Sequence, residues 1–279
     1  MRMKKTGKIL VRAVWLVFMS AVALIMLFPL IYSVLGGFNT KTEFTSLSRI
    51  LPIPTKWVMS NYIFAFSTSA IKPLINTFMR TAWYTVIVLV MSTLVGYVMA
   101  RYEFRFKKTF FAIIIAAQVI PSVLTLIPTF VMVSNIPLVG GNNILGQGGQ
   151  GLYNNQLMLY LPPSWGYLLW VFLFMQSMKS LPIAFEEAAE LDGCGFFRTL
   201  LQVVVPMQKP ILTVIAVNVS LNTWNDWMTP FLYINSTQKS TLPAYLATLT
   251  AQLQNFGEKD YPKLFALATV AIIPPGMIF

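Results

Sequence analysis

Glu186, Glu187, Glu190 and Asp192 account for four of the nine acidic side chains in this 279-residue chain, all within AFEEAAELDGCG, residues 184–195. On a helix Glu186 and Glu190 stand i, i+4, and Glu187 and Glu190 stand i, i+3. Like charges so placed cost about 0.2–0.5 kcal/mol per pair, and the unbalanced charge invites a cationic partner from outside. Histidine is absent and Cys194 is the single cysteine. Imidazole acid–base chemistry, an internal disulfide and a Cys/His metal site are therefore excluded, and no metal is expected. Recognition by charge is what remains.

Two nucleotide motifs fail on context. GQGGQG at 146–151 fits G-x-G-x-x-G, but that pattern binds a dinucleotide only between a strand and a helix, and here it joins two apolar runs. A GxxxxGK[ST] phosphate loop is missing, since TGKI at 6–9 lacks the preceding glycine and the following Ser or Thr.

The elements that must position the acidic stretch are apolar. Hydrophobic residues make up 56% of the chain and charged ones 10%, against about 25% charge in a soluble domain. Mean hydropathy is +0.67. Runs of roughly 18 or more apolar residues mark membrane-spanning helices. The expected fold is an all-α integral membrane protein, one transmembrane domain over 1–279 with about six spans, near 13–35, 73–100, 109–134, 157–178, 208–230 and 263–279. The first run is too long for a signal peptide and lacks a small-residue cleavage site, so it reads as a retained span. Prolines 29, 121, 128, 230, 274 and 275 lie in or at the ends of spans. They fit either helices bent around a pathway or the general abundance of proline in membrane helices.

Orientation follows from basic residues beside the spans. One side carries Arg2, Lys4, Lys5, Lys8 and Arg12, then Arg101, Arg105, Lys107 and Lys108, then Lys179, Arg198 and Lys209, twelve in all. The other side carries Lys41, Arg49, Lys56, Lys72, Lys239, Lys259 and Lys263, seven over longer loops. The amino terminus and the acidic stretch are thus assigned to the cytoplasm of a multi-pass protein in the cell membrane. The net charge of +11 reads as a topology signal, so no nucleic-acid partner is expected.

Within the loop 179–207, Pro182 suits a first helical turn and Gly193 a left-handed cap, giving a rod roughly 16 Å long. FFRTLLQVVVP, 196–206, would pack along the inner ends of the bundle until Pro206 breaks the helix. The order Glu187-Ala188-Ala189, three residues, Gly193, nine residues, Val203, one residue, Val205, Pro206 resembles the EAA motif of ABC-importer permeases, with valines in place of its Ile and Leu. VGYVMARYEFRFKK after the second span, SLNTWNDWMTPFLYI at 220–234 and TLPAYLATLTAQ at 241–252 resemble the carbohydrate branch, in particular the second membrane subunit of maltose-type importers.

That resemblance implies a permease subunit forming half of a translocation pathway for a sugar or oligosaccharide. Glu187, Ala188, Ala189 and Gly193, with Asp192 beside them, would form a cytoplasmic coupling helix between the fourth and fifth spans, docked on an ATPase. Glu186 and Glu190 join that surface on charge alone. The implied partners are a second permease subunit, two ATPase subunits, an extracytoplasmic solute-binding protein and membrane lipid. ATP and Mg²⁺ would be used by the ATPases, and this chain would be no enzyme and hold no cofactor. Ser240, Thr241, Leu242, Pro243, Ala244 and Tyr245 would be the tip of an outer loop that reaches into the binding protein.

Asn76, Asn222, Trp224, Asn225, Asp226 and Trp227 are the polar and aromatic candidates for sugar contact within spans, an intramembrane carboxylate being a functional candidate by default. Equally, the tryptophans fit a membrane interface, and Asp226 fits a partner in a basic group or a helix-end N–H. The loop PLVGGNNILGQGGQGLYNNQ, 137–156, is either a contact for another subunit or a flexible connector. A secondary transporter or channel would show internal repeats and ion-coupling charges. No repeat is evident, and Arg80 and Asp226 are the only candidates for such charges. A membrane-anchored receptor would need a sizeable soluble domain, and among importer cargoes peptides and polyols remain open.

Overall fold

The computed structural model describes residues 5–46, 50–161, 167–256 and 260–278. Among them every regular element is helical: α1 Lys5–Gly37, α2 Lys41–Thr45, α3 Ser60–Ala65, α4 Thr68–Arg101, α5 Lys107–Val119, α6 Ser122–Ser134, α7 Tyr167–Met178, α8 Ala184–Leu191, α9 Phe196–Met207, α10 Lys209–Asn225, α11 Met228–Tyr233, α12 Leu242–Phe256 and α13 Tyr261–Ile278. Short 3₁₀ turns occupy Gln156–Leu159 and Thr237–Lys239. Arg2, Lys4, Arg49 and Lys259 of the charge count, residues 162–166 of the fourth expected span and Phe279 at the end of the sixth lie outside the described residues.

The described residues gather into two compact units. The first draws on residues 1–71 and 246–277. Its α1 is almost wholly apolar over Val11–Gly37, with none of its most apolar window buried, as a helix facing lipid requires. Aromatic rings hold the unit: Tyr32 meets Phe265 edge-on at 5.7 Å, and Phe44 lies 5.3 Å from the same ring. The chain after α1 is pinned by amides, Asn61 donating to the carbonyls of Gly37 and Asn39 and Asn39 donating to Pro52.

The second unit, residues 72–245, holds the candidate sites. Its main core joins Tyr84, Val88 and Tyr97 of α4 to Phe174 and Met178 of α7, Leu200 and Val204 of α9, and Ile215 and Val219 of α10. A smaller cluster packs Val133, Met158, Leu159, Tyr233 and Ile234.

Among the described residues two helices, Val11–Gly37 and Thr68–Arg101, are each long and apolar enough to cross a membrane, or three spans if the bent pair α9–α10 counts as one. Among the described residues the third expected span is interrupted and the fifth is preceded by a sharp bend, and backbone chemistry explains why. The third expected span breaks between α5 and α6, where Ile120 (ψ 114°) and Pro121 (ψ 128°) are both extended. A residue before proline is driven out of the helical region by the ring. The fifth begins after an 81° bend between α9 and α10. That bend sits at Gln208 and not at the expected Pro206. A π-helical turn over Leu200–Val204 precedes Pro206 and lets the helix continue past the missing N–H. α1, α6 and α13 continue through Pro29, Pro128 and Pro274–Pro275, so of these prolines Pro121 is the one that parts an expected span.

Gly96 lets α4 and α7 approach. A Cβ there would lie 2.9 Å from Phe174 Cδ1 and 3.1 Å from the Val171 carbonyl, with Phe174 fully buried. Overpacking of this kind costs about 1–3 kcal/mol. Gly96→Ala is expected to lower the unfolding temperature in detergent by several degrees, and an unchanged midpoint would show that the helices have slack at this crossing.

Candidate functional site

The acidic stretch is helical as α8, starting at Ala184, two residues beyond Pro182. It ends in a Schellman motif: the Cys194 N–H donates to Ala189 O at 2.9 Å, the Gly193 N–H donates to Glu190 O at 3.0 Å, and Gly193 has φ +78°. This pairing satisfies carbonyls that a bare helix end leaves open.

α8 has two faces, as eight residues at helical spacing must. Glu187, Ala188, Glu190, Asp192 and Gly193 are exposed, and Leu191 is 90% exposed. Ala189 is buried against the unit, and Glu186, three residues before it on the same face, also turns inward. The Glu186 carboxylate accepts from Arg101 Nε at 2.7 Å and from the Tyr97 hydroxyl at 3.0 Å. Arg101 also donates to the Leu181 carbonyl at 2.7 Å. Glu186 is therefore an internal anchor and not the outward charge expected of it. The Tyr97–Arg101 i, i+4 pair that receives it was not singled out in the sequence, although both residues stand in VGYVMARYEFRFKK at the end of the second expected span.

In the first half of α4, Arg80, 3% exposed, meets Asp226 with 2.6 Å between Nη2 and Oδ2. Arg80 also donates to the Thr223 carbonyl at 3.3 Å and lies 5.0 Å over the Tyr84 ring. The second Asp226 oxygen accepts the Thr229 N–H at 3.1 Å, tying the start of α11 to the end of α10. Asp226 thus has both a basic partner and a helix-end N–H. Trp224 is buried edge-on to Phe78 at 4.8 Å. Asn222, Asn225 and Trp227 are exposed.

Asn76 is buried and fully engaged, donating to the carbonyls of Gln238 and Ser240 and accepting from Gln156. Thr77 Oγ1 accepts the Leu242 N–H at 2.8 Å. The segment expected as an exposed tip is accordingly packed down: Ser240, Thr241, Leu242, Ala244 and Tyr245 are buried and Pro243 half-buried. Leu242 opens α12, with Pro243 in its first turn, where the lost N–H is harmless. Burial pushes the Tyr245 phenol above its ordinary pKa. The exposed residues of this segment are Asn235, Gln238 and Lys239. With Lys72, Asn76, Gln156 and Ser236, Gln238 and Lys239 border a cleft of about 520 Å³. The glycine-rich loop beside it is an ordered fold around Asn142, which is buried, donates to Ser134 O and Ile136 O, and accepts from the Gly149 N–H.

Gly193→Ala is expected to loosen the last turn of α8 by about 1 kcal/mol, because only glycine adopts this φ freely. Gly195→Ala, extended and in open space, should be near neutral, and hydrogen exchange across 184–195 separates the two. Asp226→Ala strands a buried guanidinium and should cost about 3 kcal/mol in thermal unfolding. A loss under about 1 kcal/mol would show the pair to be solvated.

The pattern of the family described as "Binding-protein-dependent transport system inner membrane component" matches residues 92–279. The arabinooligosaccharides transport system permease protein AraQ of Halalkalibacterium halodurans is 27% identical over 263 residues, covering 92% of this chain and 87% of that protein. The diacetylchitobiose uptake system permease protein NgcG of Streptomyces coelicolor is 24% identical over 258 residues, 92% and 80% of the two chains. Among solved structures, a chain of a bacterial ABC transporter involved in the import of the acidic polysaccharide alginate superposes with TM-score 0.75 at 20% identity, covering 100% of this chain and 96% of that one. At that identity the likeness speaks for the fold.

Proposed function

This chain belongs to the family of binding-protein-dependent transport system inner membrane components, and we propose that it forms half of the pathway by which an ABC importer carries a sugar or oligosaccharide across the cell membrane. The carrying observation is α8, a short capped helix that presents Glu187, Ala188, Glu190, Leu191 and Asp192 outward. Relatives named for arabinooligosaccharide and diacetylchitobiose transport support the cargo class.

In this reading residues 1–279 form one permease domain crossing the membrane about six times, some crossings built from broken helices, with the amino terminus in the cytoplasm. α8 is the cytoplasmic coupling helix. Its small Ala188 admits close approach, its acids meet cationic side chains, and the Gly193 cap fixes its exit. Two partner ATPases use ATP and Mg²⁺, a second permease subunit completes the pathway, and this chain catalyses no covalent step. An extracytoplasmic binding protein meets the outer face, where Asn235, Gln238 and Lys239 are exposed beside the packed segment Ser240–Tyr245.

Mild-detergent purification of the tagged protein from its native cells, followed by mass spectrometry, tests the assembly. A Walker-type ATPase and a second EAA-bearing permease should co-purify, and Gly193→Asp should release the ATPase. Recovery as a lone chain that transports without ATP would overturn the reading in favour of a secondary transporter. Sidedness is tested at Cys194, the single cysteine. An impermeant maleimide should label it in inside-out vesicles and not in intact cells, and labelling of intact cells would invert the topology.

A further inference from the structure

α4 carries the Arg80–Asp226 pair in its first half and the Arg101–Glu186 pair at its last residue. At 1.5 Å per residue the two arginines are about 31 Å apart along the helix, close to the hydrocarbon thickness of a bilayer. Between them α4 is unbroken by proline, because Pro73 lies before Arg80. The Arg101 and Glu186 side chains are only 14% and 10% exposed, so the pair is shielded from water and salt. Three bonds converge there: Arg101 to Glu186, Tyr97 to Glu186, and Arg101 to the Leu181 carbonyl at the entry to α8. The link joins α4 to the inward face of α8 and leaves Glu187, Glu190 and Leu191 free.

We infer that Arg101, Tyr97 and Glu186 form a latch that makes the acidic helix move as one body with α4. The latch residues are positioning residues that touch neither cargo nor nucleotide. Displacement of α8 reaches α4 through three directed bonds, and α4 carries it to the Arg80–Asp226 pair and the Asn76 contacts in its first half. A buried ion pair is a weak source of stability but a strong determinant of geometry, which suits a latch better than a staple.

The inference rests on the importer reading above, and its test separates the two. The complete complex, with both permeases, the ATPases and the binding protein, is reconstituted in liposomes with parental chain, Glu186→Gln or Tyr97→Phe. Assembly is read by co-purification, and coupling by how far cargo-loaded binding protein stimulates ATP hydrolysis and by cargo moved per ATP. Glu186→Gln is expected to keep the ATPases bound and basal hydrolysis intact while stimulation and cargo per ATP fall by about fivefold or more. Tyr97→Phe, which removes one oxygen and keeps the ion pair, should fall in the same direction by a smaller factor and serves if Glu186→Gln fails to assemble for want of folding. Stimulation within about twofold of parental for both variants would overturn the latch. So would loss of the ATPases from a folded Glu186→Gln complex, which would place Glu186 in the docking surface itself. Absence of ATPases from the parental complex would instead remove the importer reading.

Discussion

An isolated charge inside a bilayer is costly, and in the unit at 72–245 α4 pairs the buried Arg80 and the part-buried Arg101 with distant segments. Arg80 draws in Asp226, the Thr223 carbonyl and the face of Tyr84. Arg101 draws in Glu186 and the Leu181 carbonyl. Each pairing brings a sequence-distant segment to the same helix, the end of α10 in one case and the start of α8 in the other. The apolar core between them, Tyr84 through Val219, fills the space these contacts define. Charge is scarce in this chain, and it is spent where position matters.

The second constraint is the backbone. Lipid-exposed peptide groups cannot go unpaired, so broken helices persist only where protein covers them. The break at Gln208 shows how this is met. Its side chain is buried and accepts from the Ser177 hydroxyl at 2.5 Å while its amide reaches the Ser177 carbonyl. The bend between α9 and α10 is thereby fastened to α7. The segment 238–242 obeys the same rule, its backbone being served by Asn76 and Thr77. Asn76, conspicuous in sequence as a polar group in an apolar run, thus serves architecture directly.

Much of this was legible in the residues. Hydropathy marked α1 and α4, and the spacing of Pro182, the four acids and Gly193 located α8 and its cap, because helix ends have local chemical rules. What was not legible depends on pairs far apart in the chain. That Glu186 faces inward while Glu187 faces outward depends on where Arg101 ends up, 85 positions away, and no local pattern encodes that. The breaks in the third and fifth spans were ambiguous for a related reason: proline marks a possible interruption, and packing decides whether the helix yields. α12 was missed although Leu242, Tyr245, Leu246 and Leu249 carry a helical period, because an outer loop was expected there by resemblance. Of the residues expected on the α8 surface, Glu187, Ala188, Glu190 and Asp192 are exposed while Glu186 and Ala189 turn inward, and what meets the exposed face lies outside a single chain.

The central claim is that this outward face meets an ATPase. The most direct measurement places a photo-crosslinking amino acid at Leu191, 90% exposed in the isolated chain, and irradiates the intact complex in its native membrane. The account predicts an adduct with the ATPase subunit as the main product, lost when the ATPases are stripped from the membrane. An adduct only with lipid or with the partner permease, in membranes that retain the bound ATPases, would contradict it.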